Sequence, residues 1–240
     1  NRPTFRKPNL TPTPYHRAIM NVAAILSIIL GCCVVFANVL GIKVISFGPI
    51  ICDGGVFVFP ITYIIGDVMV MLFDREITES VTKAVCIITI FLTIPLWLCD
   101  IIPDPSGVNN PSMHAAYGLS VQVCAASVIA FFVSRKVNNN SLRKKLSRGK
   151  SRFWSAFLSS VWGHIWDSTI FTFIAFWSRH SGAPLDQLLT LTLQALNSMA
   201  IAIVIEFALN KPKLWLFDFL YGYLKTVKEK QAAAQTNSST

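Results

Sequence analysis

A chain of 240 residues with 53% apolar and only 14% charged side chains lacks the polar material to cover a water-facing surface, since a soluble domain carries roughly 25% charged residues. Its mean hydropathy of +0.53 excludes an ordinary soluble domain. The net charge of +9 is segregated into stretches between apolar runs, which argues against a nucleic-acid partner.

In chain order, the stretch up to Tyr15 is polar and proline-rich, without the apolar region of a cleavable signal peptide. Six apolar runs follow, at 20–39, 56–73, 84–102, 115–134, 155–177 and 188–209. Each is near the ~20 residues that cross ~30 Å of hydrocarbon, and tilt or bilayer thinning absorbs the shortness of the second and third. The predicted fold is all-α with six transmembrane helices, because backbone groups in lipid must be satisfied within the segment unless a barrel closes. After the sixth run, an aromatic stretch from Lys213 to Leu224 is too short to span. It reads as an interfacial helix or a continuation of helix 6, with Trp215, Tyr221 and Tyr223 at headgroup depth. The tail from Gln231 to Thr240 is small and polar, and is predicted disordered. The resulting organisation is a polar segment 1–19, a six-helix transmembrane domain 20–210, and an interfacial helix with its tail at 211–240.

Orientation follows from the basic residues. Nineteen of the 21 Lys and Arg lie before run 1, after runs 2 and 4, and after run 6, against Lys43 and Arg179 in the alternate loops. The basic side is cytoplasmic by the positive-inside rule, so both termini are inside. The basic loop 135–152 is read as a topology determinant with affinity for anionic lipid. Six cysteines sit mainly within apolar runs without a CxxC pair. They read as small hydrophobes, with Cys52 and Cys99 the one pair placed near the outer surface where a disulfide is conceivable.

Charge inside the spans is the most informative feature. An aspartate at the centre of a span costs about 2.5–3.5 kcal/mol on insertion scales, so Asp67 on helix 2 and Asp167 on helix 5 require a role or a partner. On helix 5, Ser160, Gly163, His164, Asp167 and Phe171 fall on one stripe, as i, i+3, i+4, i+7 and i+11 do. Such a face suits a flat polar ligand, and Trp162 and Trp166 flank it toward lipid. On helix 2, Pro60, Tyr63 and Asp67 share a face, with Pro60 expected to break the hydrogen-bond ladder beside a cavity. Gln194, Asn197 and Ser198 form an uncharged polar stripe on helix 6, and Asn38 stands on the face of helix 1 that also carries Ala23, Ser27 and Gly31. Glu206 lies near the cytoplasmic end of helix 6, where its side chain reaches water, and is assigned no role. The candidate substrate-binding set is Asn38, Asp67, His164, Asp167, Phe171, Gln194 and Asn197, with Pro60 and Gly163 structural. The two aspartates lie on the second helix of each three-helix half, as in inverted-repeat transporters. No HExxH, G-x-S-x-G or GxxxxGK[ST] occurs, so neither an enzyme nor an ATP-hydrolysing chain is indicated, and no cofactor or metal is read.

The stretches Phe36-Ala-Asn-Val-Leu-Gly-Ile-Lys43, Gly54-Gly-Val-Phe-Val-Phe-Pro-Ile-Thr-Tyr-Ile-Ile-Gly-Asp67 and Gly163-His-Ile-Trp-Asp-Ser-Thr-Ile-Phe171 resemble the bacterial queuosine precursor transporter family over about residues 20–210. That family is similar to vitamin-uptake proteins and has six spans. The resemblance implies import of 7-cyano-7-deazaguanine, 7-aminomethyl-7-deazaguanine or queuine, and carries over Asn38, Lys43, Pro60, Asp67, Asp167 and Phe171. The chemistry agrees: a deazaguanine presents an N–H and an amine side by side for one carboxylate, and an aromatic face stacks on the base. Asp167 is therefore expected to read the base edge, and Asp67 to serve the substituent or a coupling ion. Two other readings compete. One is a substrate-capture subunit for a vitamin-like molecule, docked to a separate energising module through a small-residue stripe of Ala23, Ser27 and Gly31. The other is a membrane scaffold whose aspartates are merely bonded. A homo-oligomer is compatible with each.

Overall fold

A computed structural model describes residues 12–102, 111–177 and 184–237; of the basic residues used for orientation, Arg2, Arg6, Lys7 and Arg179 lie outside them. The apolar runs form helices α1 (Pro14–Gly41), α2 (Phe59–Leu72), α3 (Arg75–Ile101), α4 (Pro111–Ser147), α5 (Arg152–Phe176) and α6 (Pro184–Asn237). Among the described residues, α1, α3, α4 and α6 are long and apolar enough to cross a membrane. Helix α5 has sufficient length at 25 residues, and turns Ser155, Ser159, Ser160, His164 and Asp167 inward. Helix α2 has 14 residues, which rise only about 21 Å.

The bundle turns large apolar side chains outward: Ile25, Ile28 and Phe36 on α1, Ile87 and Phe91 on α3, Trp162 and Trp166 on α5, and Val204 and Phe207 on α6 are all exposed. Water-soluble monomers rarely carry contiguous apolar patches beyond a few hundred Å². Lipid is the medium that suits this surface, so the chain is a multi-pass membrane protein. Inside, Val22, Leu26, Leu30 and Val34 of α1 pack with Ile65, Val68 and Met69 of α2, Val85 of α3 and Phe131 of α4. Ala23 and Gly31 are buried on that same inner face. Of the small-residue stripe on α1, Ala23 packs in this core, Ser27 is half-buried, and a β-carbon on Gly31 would meet nothing within 4 Å.

Four local expectations need correction. The second run is not one helix from residue 56: it opens as a 3-10 turn, Gly54–Phe57, and α2 starts at Phe59. Pro60 sits in the first turn of α2, where a missing N–H costs nothing, so it starts a helix rather than breaking one. The segment between α1 and α2 is not a plain loop but an antiparallel hairpin, β1 (Val44–Phe47) with β2 (Ile50–Asp53), pairing Val44 with Asp53. Its end lies directly on α1, since a β-carbon on Gly54 would stand 2.6 Å from the Leu40 carbonyl oxygen; only glycine permits that approach. Finally, α4 runs on to Ser147, while α6 continues through Pro212 to Asn237, the second of the two readings given for its aromatic stretch. Arg135 and Lys213 are thus helical residues of the bundle, and residues 231–237 are helical where disorder was expected. Cys52 and Cys99 are both free thiols.

Contacts fix which helix ends lie together. The Tyr15 amide donates to Gln231 Oε1 (2.9 Å), Arg143 donates to the Phe73 carbonyl (3.3 Å), and Arg152 pairs with Asp218 (2.9 Å). The start of α1, the α2–α3 and α4–α5 junctions and the distal part of α6 therefore share one end of the bundle. The hairpin, the end of α1 and the end of α5 share the other.

Candidate functional site

Six charged side chains are buried among the described residues: Asp53, Asp67, Arg135, Asp167, Glu206 and Lys213. Isolated ions cannot be held in a low-dielectric interior without partners, so their pairing indicates what each does.

Three of them form a closed triad. Lys213 Nζ stands 2.7 Å from Asp67 Oδ2 and also bonds Glu206 Oε1. Asp67 further accepts from Asn138 Nδ2 (2.6 Å) and Ser160 Oγ (2.9 Å). Its carboxylate is saturated by α4, α5 and α6, and it is fully buried. Asp67 is thus engaged in the triad and is not among the residues lining the cavity described next. Above the triad, the Arg135 guanidinium lies 5.4 Å from the centre of the Tyr63 ring and 5.9 Å from that of Phe131. It occupies the space over Gly66, where a β-carbon would overlap it. Its Nε and Nη1 have no hydrogen-bond partner.

The other two carboxylates line a cavity toward the hairpin end. Asn38 of α1, Asp53 of β2, His164, Asp167 and Phe171 of α5, and Ser198 of α6 surround it. Helical spacing on α5 sets His164, Asp167 and Phe171 on one side, while the glycine-permitted seating of the hairpin on α1 delivers Asp53. Ser198 Oγ donates to Asp53 Oδ2 (3.0 Å) and Ser134 Oγ to Asp167 Oδ1 (3.3 Å). Among the described residues, neither carboxylate has a salt bridge to a cation. Asn38 Nδ2 and Ser127 Oγ are buried without hydrogen-bond partners, and both residues line the cavity. Unmet polar atoms converging on one space are the pattern of a polar ligand site. The cavity measures about 30 Å³, room for one or two waters. Admission of a larger solute requires the lining side chains to move apart.

His164 joins the cavity to the triad. Its ring centre is 4.1 Å from that of Tyr63, and its Nε2 is 3.8 Å from Glu206 Oε2. Gly163 permits this packing, because a β-carbon there would overlap the Tyr63 ring. Gly163→Ala is accordingly expected to destabilise the protein by about 1–3 kcal/mol through overpacking, read as a lower thermal midpoint in detergent. Gly222→Ala, where a β-carbon meets nothing within 4 Å, is the control, and gains helix propensity instead.

Of the residues singled out from sequence, Asn38, His164, Asp167 and Phe171 come together in the cavity. Asp67 is in the triad. Gln194 is buried and Asn197 half-buried, but neither lines the cavity; Ser198 of that stripe does. Lys43, carried by resemblance, is exposed. Sequence reasoning missed Asp53, Arg135, Glu206 and Lys213. A signal for two of them existed: Ser198, Ala202, Glu206 and Lys213 fall on one helical stripe once the helix is continued through Pro212.

The family model described as "Putative vitamin uptake transporter" matches residues 53–216. No curated protein and no solved structure matches the chain.

Proposed function

The chain belongs to the vitamin-uptake transporter family so matched, and from that premise we propose that it imports a 7-deazaguanine base, the precursor of a modified tRNA nucleoside, across a bacterial plasma membrane. The proposed topology is six spans with both termini inside, the hairpin end facing outward and the basic end inward. One observation carries the substrate class. Of four buried carboxylates, two are tied to Lys213, and the two that bond no cation line the same cavity as Phe171. A planar base with adjacent N–H donors and a positive substituent supplies what that cavity lacks. Asp167 accepts the paired donors of the base edge, Phe171 offers its ring face, and Asp53 receives the ammonium of the aminomethyl compound or queuine. Asn38 and Ser127 are placed to bond the remaining polar atoms.

The test is uptake of each precursor by a bacterium that neither makes nor imports it, with queuosine in its tRNA as the readout. The wild-type chain is expected to restore the modification and Asp167→Asn to abolish it at equal membrane levels. Restoration by neither, despite insertion, would return the chain to a family member with a different cargo.

A further inference from the structure

Buried acids outnumber buried permanent cations by four to two among the described residues. A cationic substrate offsets one carboxylate of the cavity only while it is bound, so the interior has a standing demand for positive charge that protons can meet. The place where a proton is best received is defined by two atoms. Glu206 Oε2 is buried without a hydrogen-bond partner, and so is His164 Nε2, which faces it at 3.8 Å. His164 also lines the cavity, while the other oxygen of Glu206 holds Lys213. An acceptor and an imidazole, both fully buried and both unmet, therefore bridge the space between the ligand cavity and the ion triad.

Building on the import reading above, we propose that the transporter is proton-coupled, with His164 and Glu206 as the carriers of the coupling proton. A proton arriving through the cavity binds the imidazole. Closure of the gap by about an ångström brings Nε2–H into hydrogen-bond range of Oε2. Transfer then breaks the N–H bond and forms the O–H bond, returning His164 to neutral and leaving Glu206 as a carboxylic acid. Lys213 loses one of its two charged partners and keeps Asp67. The clamp between α6 and α2 is loosened at that moment, and Glu206 releases its proton once the basic end of the bundle opens to water. The charged and titratable groups facing this pair are Lys213 on α6, Asp67 and Tyr63 on α2, Arg135 on α4, and, around the cavity, Asp167 on α5 and Asp53 on β2.

Purified chain in liposomes, with the membrane potential clamped to zero, separates coupling from substrate identity. Exchange of labelled 7-aminomethyl-7-deazaguanine, 7-cyano-7-deazaguanine or queuine without a gradient tests the cargo. Accumulation driven by an inward pH gradient tests the proton, and one proton per substrate permits up to about tenfold accumulation per pH unit. Glu206→Gln keeps an acceptor for Lys213 and leaves that lysine paired with Asp67, so exchange is expected to stay within about twofold of wild type while accumulation falls to equality. Infrared difference spectra of the substrate-free protein between neutral and acid pH supply a second readout: a protonated-carboxyl band in the wild type that Glu206→Gln lacks. Retained accumulation in Glu206→Gln, or identical infrared differences in the two proteins, would overturn the proposal. Absence of exchange with all three bases would count against the deazaguanine cargo alone, and the infrared comparison would then decide the proton site by itself.

Discussion

Lys213→Ala is expected to be the most destabilising single substitution in the bundle, costing roughly 3–5 kcal/mol. Removing the ammonium leaves Asp67 and Glu206 ionised, fully buried and facing one another across the space it occupied. Water cannot rescue them there, and Asn138 and Ser160 satisfy only Asp67. The loss concerns the broken set rather than the net worth of the ion pairs, because a fully replaced buried pair is often neutral or better. Lys213→Met combined with Asp67→Asn and Glu206→Gln should therefore recover most of the lost stability, though not gradient-driven transport. Thermal unfolding in detergent reads both effects. A Lys213→Ala protein that melts within a degree or two of wild type would show that the triad is hydrated and that its burial contributes no constraint.

Asp53→Asn is expected to reduce uptake of the aminomethyl compound about 10- to 100-fold at limiting concentration, and uptake of the neutral cyano compound much less. A hydrogen bond to a charged group contributes about 1.5–3 kcal/mol, and Asp53 is the proposed partner of the ammonium alone. Asn at this position still accepts from Ser198, so the hairpin remains anchored on α6. Asp167→Asn, in contrast, should depress uptake of both compounds, because an amide cannot accept the two donors of the base edge together. Competition between the two labelled precursors in whole cells distinguishes these patterns. Equal losses for both compounds in Asp53→Asn would place the ammonium elsewhere, and equal tolerance in Asp167→Asn would remove the base edge from that carboxylate.

Much of the helical framework was legible because hydrophobic run length and the 3.6-residue repeat act on the whole span. The inward stripe of α5 is the clearest case: His164, Asp167 and Phe171 were placed together from spacing alone and line one cavity. Trp162 and Trp166, flanking that stripe, are exposed as expected. What sequence reading missed has one physical origin. Lys and Arg beyond an apolar run were assigned to water, since charge at membrane depth is expensive, yet Arg135 and Lys213 are buried because helices α4 and α6 continue past the hydrophobic runs. Asp67, the partner of Lys213 on α2, is remote in sequence, and Glu206, two turns earlier in α6, joins the same stripe only once the helix is continued through Pro212. Asp53 was invisible for a different reason. A carboxylate beside Gly54 and Gly55 reads as a solvated turn, and only the seating of the hairpin on the α1 backbone carries it inward.

The uninterrupted course of α6 has a mechanical consequence. Between Lys213 and Asn237 the helix extends about 36 Å at 1.5 Å per residue, so it is a lever arm with its fulcrum at the triad. A tilt of about 5° at that fulcrum swings the far end by roughly 3 Å, a displacement large enough for a spin label or fluorophore there to register. The tip is also tethered to the opening turn of α1 through Tyr15 and Gln231. Any rocking of α6 against α2 must then pull on the first helix, whose other end carries Asn38 at the cavity rim. The two ends of the molecule are in this way geared to one another.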